Sequence, residues 1–146
     1  MRCQSRDVVE IGIYKFHTVG KVILGLNTAT GIITQATDRE LLKATTVVPA
    51  TVGSEFGMRF VVIGSPKGAS KKITCRTKFP AQDLHNPISG KTAYLSEFEL
   101  EVEIGKPTLR TYALECDWEA VPGEWAMELW YQGRNLGRQI FTVVAA

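Results

Sequence analysis

The chain is short of the residues on which most enzymes and metalloproteins depend. It has two histidines, His17 and His85, and three cysteines, Cys3, Cys75 and Cys116, with no C-x-x-C spacing. Such a set offers neither a disulfide framework nor three or four ligands at zinc spacing, so no metal site is expected. Long apolar runs are missing as well. Stretches such as Val22 to Leu26 fall far short of the ~18 residues that a membrane helix needs. Behind the basic residues at the start, Met1 to Asp7, no apolar signal region follows, so the expectation is a reducing, cytoplasmic location, with export the alternative if the native start lies upstream. Nor is there an excess of one charge. Lys and Arg number 17 against 15 Asp and Glu, a net charge of +2, too small to argue for a nucleic-acid partner.

What is present suffices for one domain spanning residues 1–146. The composition, 45% hydrophobic and 22% charged, is that of a globular chain with a core of its own. Its apolar residues recur with period two. In Phe98-Glu99-Leu100-Glu101-Val102-Glu103-Ile104, glutamates 97, 99, 101 and 103 share one face, and Phe98, Leu100, Val102 and Ile104 share the other. A helix would scatter those acids around its circumference, whereas a half-buried strand puts all of them in water. Alternation of the same kind runs through Met58–Ile63, Lys72–Phe79, Arg110–Cys116, Glu124–Tyr131 and the segment with Phe141 and Val143. Turn formers separate them, as at Gly64-Ser65-Pro66-Lys67-Gly68 and Val121-Pro122-Gly123. Cys75 and Cys116 fall at inward phases, where free thiols behave as small apolar residues.

Together with Thr45–Thr51 these segments make seven strands over residues 45–146, the number an immunoglobulin-like antiparallel β-sandwich requires. In that topology the third strand pairs with the sixth. Lys72, Arg76 and Lys78 on one then lie beside Glu124 and Glu128 on the other, a favourable cross-strand pairing. Residues 1–44 exceed the minimal domain and read as an extension packed on it, with short strands at Val8–His17, Lys21–Leu26 and Gly31–Thr37. Asp38–Lys43 reads as a turn of helix capped by Asp38, and Ala81–Thr92 as an irregular loop.

A resemblance rests on particular motifs. Pro49-Ala50-Thr51-Val52-Gly53-Ser54-Glu55-Phe56-Gly57-Met58-Arg59-Phe60, the pairs Phe79-Pro80 and Asn86-Pro87, and Trp118 through Trp125 are three of them. The closing Leu129-Trp130-Tyr131-Gln132-Gly133-Arg134, with Leu136 and Phe141-Thr142-Val143, is the fourth. Over roughly residues 8–144 the chain resembles a bacterial family of immunoglobulin-like domains of unknown function. The resemblance implies the sandwich fold and carries no catalytic residues.

Tests for chemistry return little. Asp83 and His85, two residues apart, invite a small hydrolase or ligand-binding enzyme, but a general base needs a nucleophile within hydrogen-bond reach. Gly53-Ser54-Glu55-Phe56-Gly57 has its serine one place too early for a nucleophile elbow. Gly64–Lys71 lacks the Gly-Lys-Ser/Thr ending of a phosphate loop and precedes a strand rather than a helix. No cofactor is expected. Lys67, Lys71, Lys72, Arg76 and Lys78 form the densest run of cations, read first as a solvated face paired with neighbouring acids and, behind that, as interaction residues alongside Trp130, with a nucleic-acid groove the least favoured reading. Trp130 stands at an outward phase between Glu128 and Gln132. Either the N-terminal segment covers it, the first choice, or it marks a partner surface. The expectation is a non-enzymatic module that binds another protein or a second copy of itself.

Overall fold

A computed structural model describes residues 2–24, 32–80, 84–90, 92–93 and 95–145. Those residues form strands β1 (Arg2–Leu24), β2 (Ile32–Lys43), β3 (Val47–Pro49), β4 (Glu55–Ser65), β5 (Ser70–Lys78) and β6 (Leu84–His85). The chain continues through β7 (Thr92–Ala93), β8 (Leu95–Glu103), β9 (Pro107–Ala113), β10 (Gly123–Tyr131) and β11 (Arg134–Val144). A four-stranded sheet in the order β2-β1-β4-β9 faces a five-stranded sheet in the order β3-β11-β10-β5-β8. The small pair β6-β7 stands apart from both.

Period-two alternation accounts for this layering. On β8, Val102 is buried while Glu99, Glu101 and Glu103 are exposed, so the strand lies half in water as its pattern predicts. Phe56, Met58, Phe60, Ile73, Cys75, Trp125, Met127, Leu129 and Phe141 are at most 1% exposed and fill the space between the sheets. The aromatic members pack edge-on or tilted: the Trp125 ring lies 5.6 Å from Phe56 and 5.1 Å from Phe79, within the range for favourable ring pairs. The Trp125 indole N–H donates to the Val121 carbonyl at 3.0 Å, so burying the indole leaves no unpaired donor.

The expected pairing of third and sixth strands is present, with β5 antiparallel to β10 and Arg76 directly opposite Glu128. β11 runs parallel to β3 over Thr142–Val144, and the Thr142 N–H donates to the Thr46 carbonyl at 2.8 Å.

Four local expectations are corrected. Asp38–Lys43 is strand rather than helix, because β2 pairs along β1 from Leu24↔Ile32 to Ile13↔Lys43. A continuous partner strand outweighs the few tenths of a kcal/mol by which these residues favour a helix. The expected strands Val8–His17 and Lys21–Leu26 fall in one 23-residue strand, β1, which is described as far as Leu24; three of its register shifts against β2 fall around Thr18 and Val19, near the break in the apolar pattern. β1 pairs with β4 from Arg2 to Tyr14, so the extension is hydrogen-bonded into the smaller sheet. β9 ends at Ala113, and Asp117–Glu119 forms a 3₁₀ turn, which leaves Cys116 half-buried in a loop. The segment read as an irregular loop contains β6, and it leads directly into β7.

Gly12 and Gly57 lie directly opposite each other on β1 and β4. A Cβ on Gly12 would run into the Lys43 carbonyl oxygen, and one on Gly57 into that of Arg110. Both glycines thus let a flanking strand come close to the sheet.

Candidate interaction surface

The outer face of the five-stranded sheet gathers most of the charged residues singled out in the sequence. One register row crosses it: Arg138 on β11, Glu128 on β10, Arg76 on β5 and Glu97 on β8. Charge alternates along the row. The Arg76 Nε donates to a Glu97 carboxylate oxygen at 2.7 Å. Glu128 lies 3.5 Å from both the Lys78 Nζ and the Arg138 Nε.

Glu128 is unusual for an outward residue in being only 4% exposed. It sits on the central strand, and the longer cationic side chains of β5 and β11 close over it, their stems covering apolar surface while their charged ends meet water. The indole N–H of Trp130 donates to the Glu128 carboxylate at 3.0 Å. The Arg76 guanidinium lies 4.9 Å from the centre of the Trp130 ring, a cation–π distance. Trp130 is half-buried. Among the described residues of the N-terminal segment, β1 and β2 belong to the opposite sheet, and the described group seated on the ring is Arg76.

The run of five cations does not form one patch. Lys72, Arg76 and Lys78 project outward, and Lys72 lies opposite Glu101. Lys71 is half-buried at the other phase, opposite Val102. Lys67 lies in the turn between β4 and β5, its stem running past Gly105. Each of the three outward cations therefore has a carboxylate beside it, as a paired face would. Exposed pairs of this kind contribute ~0.2–1 kcal/mol each.

Asp83 lies outside the described residues. His85 is placed by its backbone, paired with Thr92, and its side chain lies outside them too. Among the described residues no group of three or more His, Cys, Asp and Glu could hold a metal ion, and no helix is long and apolar enough to cross a membrane.

A second polar cluster escaped the sequence reading. Glu119, 1% exposed, accepts the Tyr112 hydroxyl at 2.6 Å and the Cys116 backbone N–H at 3.0 Å. Burial lifts its carboxyl above the usual carboxylate range even though both bonds favour the ion, and burial with the adjacent acid pushes the Tyr112 phenol well up. From β9, Arg110 reaches across to the Thr77 hydroxyl at 3.2 Å and lies 4.5 Å over the Phe98 ring, closing the side of the sandwich between β8 and β9. The spacing of Glu119 three residues after Cys116 resembles that of a capping box and was the one available signal. Cys75 and Cys116 are free, and complete burial pushes the Cys75 thiol up to about 11.

Two sheets packed face to face, with β10 between β5 and β11 and a parallel strand added beside β11, define an immunoglobulin-like β-sandwich. Within that class the chain belongs to DUF3859, a domain of unknown function, whose family model matches residues 4–143. It is similar to the crystal structure of an immunoglobulin-like protein of Pseudomonas aeruginosa, PA1606, with 21% identity and a TM-score of 0.62, covering 99% of this chain and 100% of that one. No curated protein matches the chain.

Proposed function

We propose that the protein is a non-enzymatic interaction module that binds protein through the outer face of its five-stranded sheet, with Trp130 as anchor and Lys72, Arg76 and Lys78 around it. The observation that carries this reading is the fixed Trp130 ring, held by Glu128 below at 3.0 Å and Arg76 above at 4.9 Å. A side chain already immobilised loses little entropy on binding, and tryptophan and arginine are the residues that most often dominate interfaces. The remaining reactive groups support the same view, since Cys75 is buried with a raised pKa and Glu119 is held by Tyr112 and Cys116. Two free thiols favour a reducing compartment.

The test is photo-crosslinking in the cell that makes the protein, with the reactive residue at Thr74, which lies opposite Trp130. A covalent adduct with a protein chain, lost on Trp130→Ala in a variant that still folds, is the expected result. Adduct formation indifferent to Trp130, or none at all, contradicts the reading.

A further inference from the structure

We infer that the partner of this face is a second copy of the chain, packed face to face about a two-fold axis that runs parallel to the strands between β5 and β10. The inference rests on the interaction reading above and names its occupant.

The row Arg138–Glu128–Arg76–Glu97 carries the order plus, minus, plus, minus across four adjacent strands. A two-fold axis along the strands keeps each residue's height and reverses the order of strands. Laid on its own reversal, this sequence of charges meets its opposite at every position: Arg138 faces the second copy's Glu97, and Arg76 stands over the second copy's Glu128. The other in-plane axis, perpendicular to the strands, keeps the strand order and would set cation on cation, which an interface does not tolerate. Charge therefore selects one of two symmetric arrangements, and it selects an isologous one that closes as a dimer.

The neighbouring rows agree. Ile140, Ala126, Lys78 and Leu95 form the next one. Under the same axis, half-buried Ile140 meets the second copy's half-buried Leu95, and the long Lys78 lies over the small Ala126. On the other side stand Asn135, Trp130, Thr74 and Glu99. Here Trp130 covers the second copy's Thr74, and Asn135 can donate to the second copy's Glu99. Because Glu128 lies deeper than its neighbours, the outermost charged contact is Arg138 with Glu97, made twice. The natural twist of two such sheets lets them cross by about 30° around the central row.

Strands β5, β8 and β10 are nine residues long. Four strands about 4.8 Å apart and of that length cover roughly 550–600 Å² per copy, the low end for a specific interface. An interface of that size belongs with the reversible ones, so the test is set for a dissociation constant in the micromolar range.

Sedimentation velocity on the full chain tests this with two charge reversals, Glu97→Arg and Arg138→Glu. The wild type should show a monomer–dimer equilibrium that shifts with concentration. Each variant alone sets two like-charged pairs across the axis and should be monomeric. An equimolar mixture of the two variants pairs unlike charges at both places and should regain the dimer. Thermal melts check that each variant folds. Should Arg138→Glu fail to fold, Asn135→Cys and Glu99→Cys chains, each with Cys3→Ser and Cys116→Ser, should form a disulfide when mixed and not singly. A wild type that remains monomeric to about 500 μM, well above a micromolar dissociation constant, overturns the inference. So does a dimer indifferent to both reversals, or disulfides that form equally well within each single variant. A monomeric wild type whose cellular adduct at Thr74 still depends on Trp130 overturns the second copy while leaving the interaction reading standing.

Discussion

Trp130 donates its indole N–H to Glu128, two residues earlier on the same strand, at 3.0 Å. A period of two places both on the outer face, so one strand supplies an aromatic platform and the acid that fixes its orientation. Glu128 also draws in Lys78 and Arg138, each at 3.5 Å. The acid is nearly buried while its cations are about half exposed, and this imbalance has measurable consequences.

Removing the acid should cost less than removing both cations. In Glu128→Gln, Lys78 and Arg138 regain water, and the amide still accepts from Trp130. Chemical denaturation should report a loss of ~1–2 kcal/mol. The double change Lys78→Met, Arg138→Met removes both cations that lie 3.5 Å from the buried carboxylate, leaving beside it Arg76, which is itself bonded to Glu97, and should cost ~3 kcal/mol or more. Equal losses would contradict the buried position of Glu128.

Trp125 and Trp130 should separate by role. Trp125 is fully buried among Phe56, Phe79 and Tyr112, so Trp125→Ala should lose ~3–5 kcal/mol. Trp130→Ala removes a half-buried ring and should lose under ~2 kcal/mol, with the fold intact by circular dichroism.

Glu119 should make stability depend on pH. Its carboxyl holds a proton more tightly in the folded chain than the usual value of 4.5. The stability it contributes is therefore full below that value and declines as pH rises through its folded pKa. Denaturation curves across pH 4 to about 8, spanning the ordinary carboxylate value, should show this fall in the wild type and a flatter profile in Glu119→Gln. A wild-type profile that rises over the same range from this group would reverse the assignment.

The thiols should differ in accessibility. Cys75 is buried, with its pKa pushed up to about 11, so a thiol reagent at neutral pH should leave it unmodified until the protein unfolds. Cys116 is half-buried, and burial followed by the nearby Glu119 raises its pKa as well. It should react slowly, and ahead of Cys75.

The layering of the sandwich was legible because alternation fixes which face of a strand is buried. The glutamates of β8, the inward Cys75 and the β5–β10 pairing all followed from that rule. It failed where the partner strand lies far away in sequence or where a polar residue departs from its type. Asp38–Lys43 has no strand signature of its own and is held extended by β1. Glu119 and Arg110 are charged yet serve the interior, a placement stabilised by Tyr112, the Cys116 N–H and Thr77 and invisible to periodicity. Trp130 was found because its phase contradicted its chemistry. Its bond to Glu128 and the seat of Arg76 over its ring depend on side-chain geometry that spacing does not contain.

The most direct test of the central claim is a dilution series followed by the indole N–H resonances of Trp118, Trp125 and Trp130. The Trp130 signal should move progressively with concentration while that of buried Trp125 stays fixed, with half the change falling at the dissociation constant from sedimentation. Association that leaves Trp130 unmoved and shifts resonances elsewhere would contradict the account.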